Sequence, residues 1–339
     1  MTNSAWQPSF GPVTAPDAEA RRRAAARLRG VLGMDADAGR LGDLACWWAG
    51  VRGCCPAPAP TRIRAVVLDA CSDTGSKAAP ARSESGAVGA VALGAARASL
   101  VRVVASLSAV AQATPDHEPI APVLSGQRLA DAEVDAGADL LVVAAAPTAR
   151  RLNDAAATVT AALLAKEPVD VVGTRVLDGK IDDAAWMAGV AAVREGLRAV
   201  RHAATAFDAA AVLRAVDAPG LGVLAGLIGQ AAARRTPVLL DGVAACAAGL
   251  VAVRWQPEVA GWLCAGSRPT SPAGRLALDA VDVEPVLDLG LHLEDAAGAL
   301  LVVPLLRAAV ELLGAEEIGA ETGGAGEFQP VEDRVDGAT

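Results

Sequence analysis

Six short, nearly continuous apolar runs recur along this chain, at residues 63–69, 100–104, 140–143, 169–172, 238–241 and 286–289. Each is the length of a strand and lacks the polar alternation of a sheet with a wet face, so each reads as a strand covered on both sides. Between them lie long alanine-rich stretches with helical patterning, at 154–166, 182–200, 208–216, 224–235 and 243–253. Parallel strands need a crossover, and a helix is the usual one. Strand–helix alternation therefore predicts an α/β, Rossmann-like architecture with a mostly parallel six-stranded sheet.

Helical patterns at 17–32 and 41–51 precede the first run, and another at 298–314 follows the last. Having no strands of their own, they are expected to pair as a small helical domain built from both termini. The expected division is 1–60 for its N-terminal part, 61–297 for the large α/β domain and 298–318 for the closing helix. Residues 319–339, rich in Gly, Glu and Asp, read as a flexible tail. With 339 residues and 53% hydrophobic content, the chain has ample material for one large core.

A net charge of −9 argues against nucleic acid or an anionic membrane surface as partner. The longest uncharged stretch, 218–233, is Gly-rich and too short to span a bilayer. No cationic segment followed by an apolar core opens the sequence, so a cytoplasmic location is expected. Cys46, Cys54, Cys55, Cys71, Cys246 and Cys264 form no CxxC pair, and His117, His202 and His292 are scattered. No metal site is expected from such spacing.

The chemistry-bearing segment is 285–306, PVLDLGLHLEDAAGALLVVPLL. An apolar run leads to the adjacent carboxylates Glu294 and Asp295, and a helical run follows. Carboxylates at the mouth of a buried strand are candidates for a general base. They equally suit the positive end of a helix as caps. Asp73 and Gly75 follow the carboxyl end of the first run, where α/β proteins bind ligands and where an Asx turn also fits. Asp241-Gly242 reads as a strand-to-helix turn with a helix-capping aspartate. The spacing Gly220, Gly222, Gly226 follows no strand and reads as close helix packing rather than a dinucleotide loop.

Several motifs carry a family resemblance. Gly39-Arg40-Leu41-Gly42-Asp43-Leu44 with Trp47-Trp48-Ala49-Gly50 is similar to a GRLExLAxWLAG signature. Arg235 through Gly242 matches RxPVLLDG, and the segment from Leu291 to Ala299 resembles LRLGEGTGAA. Together these resemble the nicotinate-nucleotide:dimethylbenzimidazole phosphoribosyltransferases over about 17–313. The resemblance implies transfer of phosphoribose from nicotinate mononucleotide to 5,6-dimethylbenzimidazole, giving α-ribazole 5′-phosphate and nicotinate for the lower ligand of cobalamin. It implies no cofactor, and a dimer. It aligns Asp295 with the glutamate that takes the proton from the benzimidazole nitrogen.

The departures from that pattern are specific. Where the family has a GEMGIGNTT phosphate loop, this chain has Ala144-Ala145-Ala146-Pro147-Thr148-Ala149-Arg150-Arg151. Proline removes a donor, and the missing glycines remove the close backbone approach to phosphate. Arg150 and Arg151 are the charges left to meet it. The lysine expected after Ile181-Asp182-Asp183-Ala184-Ala185-Trp186 is absent. GDHGV corresponds to Ser72-Asp73-Thr74-Gly75-Ser76, and SHxSxEPGH to the segment from Gly266 to Gly274. Two expectations follow. One is an active transferase working through Asp295 and Glu294, with Asp73, Gly75, Arg150, Arg151, Asp241 and Gly242 binding substrate. The other is a catalytically lapsed paralogue serving as a regulatory or scaffolding subunit, as a homodimer or paired with an active paralogue; Trp47 and Trp48 are then candidate interface residues, though ordinary core packing suits them nearly as well.

Overall fold

The computed structural model describes residues 8, 10–33, 37–70, 86–105, 120–146, 150–174, 176–177, 180–201, 208–291 and 295–315. Its strands are β1 Ile63–Ala70, β2 Ser99–Ala105, β3 Leu140–Ala145, β4 Val176–Leu177, β5 Lys180–Ile181, β6 Val238–Leu240, β7 Leu263–Ser267 and β8 Pro285–Leu287. The expected parallel sheet is present: six strands run in the order β2-β1-β3-β6-β7-β8, and every pairing among them is parallel. β4 and β5 form a separate antiparallel ribbon. β3 is buried at every position, as a strand covered on both faces must be. The order turns back at β1, which pairs with β2 on one side and β3 on the other. Such a switch point opens a crevice at the carboxyl ends of the strands.

One expected strand is not a strand, and one strand was not expected. The run 169–172 is no strand; Pro168–Val171 is a helical turn, with Pro168 at its start and a reciprocal capping box between Glu167 and Asp170. Proline has no N–H to give a ladder, and the box satisfies the first free amides of a helix. The sixth strand is instead Leu263–Ser267, whose small residues hid it. They are small for a packing reason: a methyl on Gly266 would lie 2.2 Å from Ala299 Cα.

The helices in chain order are α1 Ala18–Leu32, α2 Gly39–Arg52, α3 Gly86–Ala96, α4 Ile120–Asp135, α5 Arg150–Leu164, α6 Pro168–Val171, α7 Asp183–Ala199 and α8 Ala209–Val216. They continue with α9 Pro219–Ala233, α10 Gly242–Trp255, α11 Pro272–Asp279, α12 Ala297–Leu300 and α13 Val302–Gly314. Side-chain caps start several of them: Asp17 accepts from Ala20 N–H (2.9 Å), Asp182 from Ala185 N–H (3.0 Å) and Asp208 from Ala210 N–H (3.0 Å). The glycines of α9 do pack helix on helix, since Gly222 and Gly226 lie against Pro122 and Val123 of α4.

The helices from the two ends of the chain meet. Ala24 and Leu28 of α1, Ala45 and Ala49 of α2, and Ala309 and Leu313 of α13 form one apolar cluster. Arg27 donates to the carbonyls of Leu313 and Ala315 at the end of α13, where the helix leaves acceptors unpaired. Arg40 of α2 ties this cluster to the sheet edge, donating to the Glu284 carboxylate (2.6 Å) and to the carbonyls of Glu284 (2.8 Å) and Pro285 (3.1 Å). Trp47 and Trp48 are core residues, 7% and 0% exposed, with their ring nitrogens donating to Gly261 and Pro58 carbonyls. They are therefore unavailable as an interface; of the two accounts, core packing holds. The segment Ala297–Gly314 is long and apolar enough to cross a membrane, but 56% of it is buried inside the protein.

Candidate active site

β6 and β7 are neighbours in the sheet, with Leu240 opposite Ala265. At their carboxyl ends stand Asp241 and Ser267, 1% and 6% exposed. Asp241 keeps extended geometry (φ −136°, ψ 129°), and its N–H donates to Val143 O at 3.0 Å, prolonging the ladder from β3. Gly242 then adopts φ +79°, a left-handed turn that suits glycine, and leads into α10. The turn was expected; the capping was not found. The Asp241 side chain makes no capping bond to α10. It faces across the strands instead, accepting from Ser267 Oγ at 3.4 Å.

The turn that carries Asp295 sits directly on this pair. A methyl on Gly298 would lie 2.3 Å from Ser267 Oγ and 2.7 Å from Asp241 Oδ1. Gly266 lies in the same way against the backbone of Ala299. Two glycines thus let the segment 295–300 rest on the ends of β6 and β7 at backbone distance. Ala296 takes φ +71°, where a Cβ is strained, to bring the chain into α12.

Asp295 is half-buried. Its Oδ1 is shielded from solvent and has no hydrogen-bond partner among the described residues. The residue at the cap of α12 is Ala296, and no side chain among the described residues makes a capping bond there. The capping account of Asp295 is therefore not what the structure shows. A shielded carboxylate oxygen with no internal donor is unusual, because most buried polar atoms are satisfied.

Arg150 opens α5 just beyond β3, and Arg151 follows it, exposed in the first turn. Both therefore flank the carboxyl end of the strand beside the switch point. Glu294, Asp73 and Gly75 lie outside the described residues. Ser267 was not singled out from sequence; the signal that would have found it is its place as the last residue of a strand beside the one ending in Asp241. Farther along the same edge, Arg268 donates to Asp288 at 2.8 Å. Both border a cleft of about 890 Å³ that also involves Lys166, Arg275 and Glu284.

The comparisons with known proteins identify the family. The sequence profile of a family described as phosphoribosyltransferase matches residues 81–323. A nicotinate-nucleotide–dimethylbenzimidazole phosphoribosyltransferase of Mycobacterium ulcerans (strain Agy99) is 37% identical over 346 aligned positions, covering 93% of this chain and 95% of that protein. The protein of the same name from Mycobacterium tuberculosis (strain ATCC 25618 / H37Rv) is 36% identical, covering 93% and 94%. A solved phosphoribosyltransferase of that name from Thermus thermophilus superposes with a TM-score of 0.69 at 25% identity, covering 89% of this chain and 97% of that one. The chain belongs to the nicotinate-nucleotide–dimethylbenzimidazole phosphoribosyltransferase family.

Proposed function

We propose that this chain transfers the phosphoribosyl group of nicotinate mononucleotide to 5,6-dimethylbenzimidazole, releasing nicotinate and α-ribazole 5′-phosphate. The observation that carries the reading is Asp295: a carboxylate with one oxygen that has no partner among the described residues, at the carboxyl ends of the sheet, in a member of this family. In the proposed step Asp295 accepts the proton from one benzimidazole nitrogen. The other nitrogen forms a bond to the ribosyl C1′ as the C1′–pyridinium bond breaks, and its electron pair returns to the nicotinate ring. Aspartate is one methylene shorter than the glutamate of the family motif, so the acceptor base sits correspondingly closer to the backbone of 295.

Charge for the nucleotide phosphate comes, in this reading, from Arg150 and Arg151 together with the positive end of α5, replacing a glycine-rich cradle. A dimer, implied by the family resemblance, uses a surface other than Trp47 and Trp48; sedimentation velocity tests for it. The decisive assay incubates pure protein with nicotinate mononucleotide and dimethylbenzimidazole and looks for the ribosylated product. Product formed by the native chain and lost in Asp295→Ala is the expected result. No product from the native chain at saturating substrates overturns the reading.

A further inference from the structure

Asp241 is a carboxylate that has no part in the step proposed above. It is 1% exposed and lies beneath Gly298, so it is out of reach of a substrate resting on the sheet ends. Its carboxylate accepts from Ser267 Oγ at 3.4 Å. What it touches from above is the segment bearing Asp295, three residues from Gly298 along the chain. We propose that the buried Asp241–Ser267 pair is the seat that positions Asp295, acting through Gly298 and making no contact with substrate.

Three observations converge on this. The contact is made by atoms that cannot easily give way: a strand-end carboxylate and a strand-end hydroxyl, both buried, on adjacent strands held in register. The seated segment is short and has no slack, since α12 spans only Ala297–Leu300 and Ala297, Ala299 and Leu300 are all fully buried. The route from seat to carboxylate is also short and bent, passing through the left-handed Ala296 at φ +71°. A shift at Gly298 therefore reaches Asp295 before any longer element can absorb it. A proton acceptor misplaced by about an ångström loses on the order of 100-fold in rate.

The role of Asp295 as base rests on the phosphoribosyltransferase reading; its placement by the seat does not, and the test separates the two. Gly298→Ala inserts a methyl 2.3 Å from Ser267 Oγ. It is expected to lower kcat roughly 100-fold while the KM for nicotinate mononucleotide changes less than about threefold. Adding Ser267→Gly removes the atom that the methyl meets first, and is expected to restore kcat by about tenfold or more. Defects that simply multiply in the double variant overturn the proposal.

A second readout needs no turnover. The carboxyl carbon-13 resonance of Asp295, assigned by its loss in Asp295→Asn, should move in Gly298→Ala and return toward its native position in the double variant. A resonance that stays put in folded Gly298→Ala protein overturns the seat whatever the activity. Where Gly298→Ala fails to fold, Ser267→Thr serves instead, because it enlarges the side chain beneath Gly298: the Asp295 resonance is expected to move, and an unmoved resonance overturns the proposal. A native chain without turnover sinks the transferase reading alone and leaves the resonance to decide the seat.

Discussion

Gly126 and Gly226 make reciprocal contacts across two helices: a methyl on Gly126 would lie 2.0 Å from Val223 O, and one on Gly226 would lie 2.1 Å from Val123 O. The obstacle in both cases is backbone, which cannot rotate away. Gly126→Ala and Gly226→Ala are each expected to destabilise the protein by about 1–3 kcal/mol, the usual cost of overpacking. Gly94 provides the contrast, because it lies in α3 with nothing within 4 Å of an added methyl. Gly94→Ala is expected to stabilise by about 0.5–1 kcal/mol. Urea unfolding curves with an unchanged slope check both signs.

Ala296 sits at φ +71°. A left-handed alanine carries a penalty of roughly 1–2 kcal/mol that glycine escapes. Glycine also gains freedom in the unfolded chain, which offsets part of this. Ala296 is also fully buried, and deleting its methyl costs about 0.8 kcal/mol. Ala296→Gly is therefore expected to leave stability within about 0.5 kcal/mol of native by urea unfolding. A loss of about 2 kcal/mol or more would contradict the strained geometry.

Asp17 has a carboxyl held below its ordinary value of 3.8, chiefly by the hydrogen bond from Ala20 N–H. A depressed folded-state pKa means the ionised cap favours the fold above the unfolded value. That contribution is lost as the pH falls through the depressed one. Asp17→Ala should lower the melting temperature near neutral pH. The gap between native and variant should close as the solution is acidified below about pH 4.

Cys264 is a thiol that burial pushes up to about 12, and Cys246 is 1% exposed. Thiol–disulfide chemistry needs thiolate and access, and these two have neither in the folded chain. At about pH 8 a disulfide reagent should leave both unmodified until denaturant is added, as peptide mapping would show. Burial also raises the thiols of Cys46 and Cys55, though less deeply, so slow native labelling is expected there.

Most of the sheet was legible because five of its strands carry short, nearly unbroken apolar runs, the pattern of a strand covered on both faces. The exceptions trace to particular residues. Leu263–Ser267 was missed because Gly266 and Ala265 are small, and Gly266 must be small to admit Ala299. The run 169–172 misled because its valines suggest a strand, whereas Pro168 and the Glu167–Asp170 box dictate a turn of helix. In the site, Asp295 and Asp241 could be picked out by type and position. Their relationship could not, because it depends on Gly298 meeting Ser267 across a long stretch of intervening chain that no local pattern encodes.

The joining of distant helices in one cluster sets an order on the birth of the protein. Arg27 finds its acceptor Leu313 at a separation of 286 residues, so the apolar stripe of Ala24, Leu28, Ala45 and Ala49 waits uncovered until α13 has been made. Contacts so distant along the chain form late, and exposed apolar surface invites association with other chains meanwhile. A ribosome stalled before residue 302 would therefore hold a sheet with its first two helices lacking α13, the third member of their cluster. Until that helix emerges, the nascent chain carries an adhesive face for any chaperone or neighbour within reach.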